Sequence, residues 1–245
     1  MDWQGFLRAF SSQFWAETAL QATPETLELI NRTDGTTNID RLMSDRMIAG
    51  IHTWFGRETP ILSEEEANPD WYGTGFVIDP IDGSWNFLFG YPAYCRIVSY
   101  LEQGQCRFFS IFNELEQQSI CCNGEQLIHQ GREICVLDVE NPMVAVMFNT
   151  HYSSEKKRAL LNILEQLVTQ GMNIRMSGSP GFDLYSLLTG AVGGVINLSP
   201  HQYDAAPILN CLRHSPLFEI EDLQVHKDSV GQFIRRRELP NTMRI

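Results

Sequence analysis

The chain has 245 residues, of which 43% are hydrophobic and 20% charged, with a formal net charge of -12. This length suffices for one large domain or two small packed ones around a sizeable core, and so acidic a surface repels a polyanion, which argues against nucleic acid as a partner. It does not argue against a small anionic substrate, because a bound divalent cation can dominate the local field.

The first segment shows no basic region followed by an apolar run, and no stretch approaches the ~18–20 apolar residues of a membrane helix. Neither a signal peptide nor a membrane partner is expected. The six cysteines, Cys95, Cys106, Cys121, Cys122, Cys135 and Cys211, form no C-x-x-C pair and have no histidine at zinc-ligand spacing. They read as buried free thiols of a cytoplasmic protein.

In chain order, residues 1–31 carry helical periodicity, with Phe6, Phe10 and Phe14 four apart, and the Thr23-Pro24 step divides them. A turn-rich stretch over 32–38 precedes a helix over 39–55, which has Leu42, Met43, Met47, Ile48 and Ile51 as its apolar positions. Residues 60–62 read as a short strand leading into Ser63-Glu64-Glu65-Glu66, and 75–78 as a buried strand ending at Asp79. Residues 94–101 and 106–112 pair through a hairpin-like turn, and 118–122 and 125–128 extend that sheet. Beyond Gly131 strands and helices alternate: strand 143–148, amphipathic helix 154–169, strand 173–176, helix 182–190, strand 194–198 and helix 204–212. The front half is therefore α+β and the back half α/β. The division falls near residue 135, giving regions 1–135 and 136–245.

The string Asp79-Pro80-Ile81-Asp82-Gly83-Ser84 carries the most chemistry. A buried strand delivers two carboxylates, and magnesium takes hard oxygen ligands, commonly one or two carboxylates with water and phosphate completing its shell. Pro80 fixes its own φ, which can hold the Ile81 carbonyl toward the same space, while the Gly83 and Ser84 amides can receive a phosphate oxygen. The same string also reads as a capped turn. Likewise Glu64 belongs to a run that reads as a solvated face, and Asp204 reads as a helix N-cap.

Taken together and in order, these runs resemble the inositol monophosphatase family, a branch of the lithium-sensitive, metal-dependent phosphatases. The resemblance rests on Val77-Ile78-Asp79-Pro80-Ile81-Asp82-Gly83-Ser84-Trp85-Asn86-Phe87 with Gly90-Tyr91-Pro92, and on Tyr203-Asp204-Ala205-Ala206. Ser63-Glu64-Glu65, Thr37 within 34–40, and Gly178-Ser179-Pro180 with Asp183-Leu184 add to it. It implies an αβαβα sandwich of alternating helix and sheet layers, and a homodimer. It also implies a Mg2+-dependent phosphomonoesterase with two or three metals (Mn2+ as a substitute). Glu64, Asp79 and the Ile81 carbonyl would hold one metal, and Asp79, Asp82 and Asp204 another. Ser84 bonded to Asp40 would orient and help deprotonate the water, with Glu64 as the third catalytic residue. Gly83 and Ser84 would bind phosphate, and Trp85, Gly178, Ser179 and Asn197 would face the rest of a small phosphorylated substrate.

Several positions depart from the family pattern. Trp85 replaces a small polar residue, and reads either as packing or as a wall of the pocket. Pro180 has no amide to donate. Asn197 stands where a sugar-binding glutamate is common, and the chain lacks the family's E-x-G-G run. Arg235, Arg236 and Arg237 read as a solvated run or as a second anion site. The substrate expected is a sugar, cyclitol or nucleotide phosphate. The alternatives are a bisphosphatase acting on fructose bisphosphate or a nucleotide bisphosphate, and a non-catalytic relative that only binds ligand.

Overall fold

A computed structural model describes residues 10, 14–18, 28, 30, 35–66, 73–123, 126–129, 132–133, 141–149, 151–226 and 229–236. The helical reading of 1–31 falls mostly outside these residues, as do Asp34, Cys135, Arg237 and the division at 135. Within that stretch Phe14–Glu17 forms a short helix, α1.

Helix α2, Asn38–Phe55, begins on Thr37, whose hydroxyl accepts from the Ile39 amide while Asp40 reaches back to the Thr37 backbone. This capping box ties off two amides that the first helical turn leaves without partners. The strands that follow are β1 Ile61–Ser63, β2 Gly75–Asp82, β3 Cys95–Glu102, β4 Gln105–Asn113, β5 Gln118–Cys122, β6 Leu127–His129 and β7 Arg132–Glu133. They form one seven-stranded sheet in sequence order. The β3–β4 turn is made by Gln103 and Gly104, both at positive φ, the backbone that matches strand twist in a two-residue hairpin.

A five-residue helix, α3 Ser84–Leu88, follows β2. The second sheet holds β8 Met143–Val146, β9 Asn173–Arg175, β10 Gly194–Asn197, β11 Phe218–His226 and β12 Ser229–Arg236, in the order β11-β12-β10-β8-β9. Helices α4 Ser154–Thr169, α5 Pro180–Thr189 and α6 Ala205–Leu212 complete the described elements. The β11–β12 hairpin falls where the sequence reading assigns no element, and it gives the second sheet antiparallel pairs at β10–β12 and β11–β12.

Period-two alternation sorts each strand's side chains between layers. Val98, Phe108 and Phe112 face α1 and α2 through Trp15, Met43, Met47 and Ile51. Their neighbours Ile97, Phe109 and Ile111 face α5 and α6 through Leu184, Leu188, Ile208 and Leu212. Ala145, Val195 and Ile234 of the second sheet join that same central core. Val144, Ile196 and Phe233 point the other way, onto Leu160, Ile163 and Leu167 of α4. The layers therefore run α, β, α, β, α. Because the central layer is shared, the ends of β2 and β10 and the starts of α5 and α6 are held around one cleft.

Arg235 belongs to this framework. It is buried and pairs with Glu219 and Glu221 across the β11–β12 hairpin at 2.9 and 3.1 Å. It is neither a solvated residue nor a cation offered to the cleft.

Candidate functional site

Two features of strand geometry bring the acidic residues together. β1 and β2 are parallel with Ser63 beside Ile78, and the Glu64 amide continues the ladder by donating to the Ile78 carbonyl at 3.2 Å. The next residues along, Glu64 and Asp79, therefore stand side by side. β2 does not stop at Asp79 but runs on through Pro80 to Asp82, with a register shift against β3 between Asp79 and Asp82. Residues three apart on a regular strand face opposite sides. One extra residue in a bulge restores them to the same side, and a bulge also tolerates a proline that cannot join the ladder.

Asp82 is held from behind. Its Oδ2 accepts from Ser179 Oγ at 2.5 Å, from the Gly181 amide at 2.6 Å and from Cys95 Sγ at 3.5 Å. Gly181 is required by this approach. A Cβ there would lie 2.5 Å from Ile97 Cδ1, 2.6 Å from Cys95 Sγ and 2.8 Å from Asp82 Oδ2. Pro180 occupies the first turn of α5, where its missing N–H breaks no helical bond. Asp79 Oδ1 accepts from the Ile81 amide at 3.1 Å. Asp204 caps α6 and also lines the cleft, accepting from the Ala205 amide and, at 3.0 Å, from that of His201.

Ser84 lies between the carboxylates and a second acid. Its hydroxyl donates to Asp40 Oδ1 at 2.7 Å, with the Ile81 carbonyl 3.1 Å away. The other oxygen of Asp40 accepts from the Thr37 amide at 2.8 Å and from Thr37 Oγ1 at 2.6 Å. Gly83 precedes it at φ 96°, and a Cβ there would lie 3.0 Å from Ser179 Cβ and 3.1 Å from the Ala93 carbonyl. Both the backbone and the space thus call for glycine. Asn86 closes the loop by donating to the carbonyls of Ala93 and Ser177 at 2.6 and 2.8 Å.

The cleft has two connected halves. A cavity of about 330 Å³ is lined by Glu64, Asp79, Ile81, Asp82, Gly83, Ser84, Trp85, Gly178 and Asp204 among others. A second, of about 400 Å³, adds Asn197, Ser199, Tyr152, Lys156 and His201. Glu64, Met147, Asn149, His151, Pro180 and Asp204 line both. Asp40 stands behind Ser84. Ser179 is fully buried and lines neither half, so its hydroxyl positions Asp82 and does not face a substrate. Trp85 both packs and lines: its ring stacks parallel to Phe89 at 5.7 Å, and a Cβ on Gly35 would lie 2.9 Å from it. Sequence reading missed Ser199, His151, Tyr152, Lys156 and His201. Of these, only Lys156 carried any signal, and it was lost in the charged run Glu155-Lys156-Lys157-Arg158.

Electrostatics explain what such a cleft takes. Burial first, then Glu64, Asp82 and Asp204, push the Asp79 carboxyl well above the usual range. Burial and Asp82 do the same to Asp204. Burial lifts Asp82 to about 6 against the pull of Ser179 and Gly181. Burial likewise raises Asp40, opposed by Thr37 and Ser84. Crowded carboxylates facing one cavity are a poor arrangement without a cation, and an all-oxygen donor set suits a hard one. Among the described residues, no three acidic, histidine or cysteine side chains already close around one point. The donors line the cavity wall.

The inositol monophosphatase family model matches residues 15–209. The curated Nus factor SuhB of Xylella fastidiosa is 27% identical over 188 residues, covering 74% of this chain and 68% of its own. Inositol monophosphatase 1 of Bos taurus is 23% identical over 167 residues, covering 63% of this chain and 57% of its own. Among solved structures, the extragenic suppressor protein suhB of Bartonella henselae superposes with a TM-score of 0.79 at 16% identity, over 97% of this chain and 95% of that one. The Thermotoga maritima IMPase gives 0.73 at 18% identity, over 98% and 93%. At these identities the superpositions establish the fold.

Proposed function

The chain belongs to the inositol monophosphatase family, a family of metal-dependent phosphatases, and from that premise we propose that it is a Mg2+-dependent phosphomonoesterase of a small phosphorylated metabolite. The observation that carries this reading is the convergence of Glu64, Asp79, Asp82 and Asp204 on the cavity that Ser84 and Gly83 also line.

In this reading Glu64, Asp79, Asp82, Asp204 and the Ile81 carbonyl hold two or three ions, with Mn2+ able to substitute. Such ions act as Lewis acids toward phosphoryl oxygens and lower the pKa of a water. The remaining chemistry falls to the chain's own groups. Because the Ser84 hydroxyl already gives its hydrogen to Asp40, its lone pairs are left to accept from a water. As that water attacks phosphorus, its proton passes to Ser84 Oγ and the Ser84 proton to Asp40 Oδ1. Desolvation of Asp40 makes it the stronger base. The Gly83 and Ser84 amides hold the phosphoryl oxygens as the ester P–O bond breaks, and the alkoxide leaves by taking a proton from a solvent water in the open cleft. Trp85, Gly178 and Asn197 then face the alcohol half, with Ser179 acting through Asp82.

The substrate class is a sugar, cyclitol or nucleotide phosphate, with fructose or nucleotide bisphosphates as the alternative. The same family premise supports a cytoplasmic homodimer. No described helix is long and apolar enough to cross a membrane. Likeness to relatives named Nus factor SuhB leaves open a second reading, a metal- and ligand-binding protein without turnover. A phosphate-release screen with Mg2+ and Mn2+ across sugar, inositol and nucleotide phosphates separates the two. Multiple turnover on any of them excludes the non-catalytic reading, and none across the panel excludes the enzyme.

A further inference from the structure

We propose that Lys156 recognises a second acidic group, so that the preferred substrate is a phosphomonoester bearing a carboxylate or another phosphate on its alcohol half. The inference rests on the phosphatase reading and assigns the substrate class to that same cleft.

Among the described residues, Lys156 is the one lysine or arginine that lines either half of the cleft. It lines only the half that lacks Asp79, Gly83 and Ser84, away from where the scissile phosphate is placed. It sits in the first turn of α4 and is half-buried. Its Nζ donates to Ser199 Oγ at 3.0 Å and lies over the Tyr152 ring at 5.7 Å from the centroid. Among the described residues it makes no ion pair; the pairs there all involve arginine.

A surface lysine ordinarily keeps its ammonium in water or shares it with a carboxylate. Here the ammonium lies over an aromatic ring and a hydroxyl orients it, both neutral, so the charge is positioned without being neutralised. Two further donors on the ammonium remain for a ligand. Asn197, His151 and His201 line the same half of the cleft. The chain as a whole carries -12, so an anionic alcohol half has need of such a local cation. Glu64 and Asp204 also line this half. The competing role for Lys156 is therefore to offset their charge, which would affect metal binding and all substrates alike.

The test uses the full chain with saturating Mg2+ and three matched substrates: glucose monophosphate, glucose bisphosphate and phosphogluconate. The wild type is expected to favour one or both doubly acidic esters by kcat/KM, and which one it favours tells phosphate from carboxylate. Lys156→Gln is expected to shrink that preference by about 10- to 100-fold, the range of one charge-assisted hydrogen bond, chiefly through KM. Lys156→Arg should restore most of it. Lys157→Gln, exposed on the same helix, should leave the preference unchanged. Equal wild-type preference for all three esters, or a Lys156→Gln loss that is the same on each with a raised Mg2+ requirement, overturns the proposal and leaves the phosphatase reading standing. Absence of turnover on all three, joined to absence across the wider phosphate screen, overturns both.

Discussion

Removing the Ser84 hydroxyl is the sharpest perturbation of the proposed water-activating pair. In Ser84→Ala, Asp40 loses the 2.7 Å bond to Oδ1 and keeps the two Thr37 donors on Oδ2. The carboxylate therefore stays anchored to the start of α2 while its link to the cleft is cut. General-base assistance of this kind contributes about 100- to 10,000-fold, so kcat should fall at least about 100-fold, or roughly 3 kcal/mol of barrier. KM and the Mg2+ half-saturation should move only a few-fold, since no proposed metal donor is deleted. Stability should drop by about 1–2 kcal/mol for a lost hydrogen bond to a charged group, a few degrees in Tm at this chain length. Steady-state phosphate release at saturating Mg2+, with Tm measured alongside, reads all of these. Ser84→Thr keeps the hydroxyl and should recover most of the rate. Asp40→Asn should resemble Ser84→Ala, and the double variant should be little worse than either, because the two act as one unit. A Ser84→Ala turnover within about threefold of wild type, or losses that multiply in the double variant, would refute the relay.

Three further outcomes follow from the support around Asp82. Gly181→Ala places a methyl 2.5–2.8 Å from Ile97, Cys95 and Asp82, and should cost about 1–3 kcal/mol as overpacking, seen as a lower Tm. Ser179→Ala removes the 2.5 Å donor to Asp82 Oδ2. It should raise the Mg2+ half-saturation several-fold while leaving kcat at saturating metal close to wild type. The metal-free protein should lose stability as pH rises. Burial lifts Asp82 to about 6 from 3.8, so between those values the folded state binds more protons than the unfolded. Its contribution is full below about pH 4 and is lost as pH passes about 6, roughly 3 kcal/mol for this group at most. Tm followed from pH 4 to 8 in chelator should show the decline, Asp82→Asn should lessen it while the raised Asp79 and Asp204 keep part of it, and saturating Mg2+ should reverse it.

Which parts of this protein are legible in its sequence depends on whether the signal is local. The amphipathic helix over 154–169 is fully local and matches α4. The hairpin at Gln103-Gly104 is local too, because Gly104 accepts positive φ at no steric cost and marks the turn. Asp79, Asp82 and Ser84 are legible as a string, yet the sequence reads as a strand that ends at Asp79 because Pro80 cannot donate to a ladder. The bulge that absorbs Pro80 depends on the partner strand β3, which no local pattern reports. The β11–β12 hairpin was missed although Phe218-Glu219-Ile220-Glu221 alternates, because its charges resemble a surface run until Arg235 is seen buried between Glu219 and Glu221. Ser179 was expected at the substrate because its loop was. Only the tertiary packing shows the hydroxyl turned onto Asp82. Asp204 by itself reads as a helix N-cap and only through the family resemblance as a ligand, and its place allows both, since the cap uses one carboxylate oxygen.

Phosphate release titrated with Mg2+ in the wild type and in Asp79→Asn is the most direct measurement of the proposed metal centre. Asp79 stands beside Glu64 and at the start of the bulge that carries Asp82, so the substitution alters the donor shared between the proposed ions while leaving Ser84 and Asp40 in place. The expected result is wild-type turnover that requires Mg2+ and saturates with it, and a variant that folds, as judged by Tm, but turns over at least about 1,000-fold more slowly at any Mg2+ concentration. Phosphate release that proceeds in chelator, or a folded Asp79→Asn protein that keeps wild-type turnover, would contradict it.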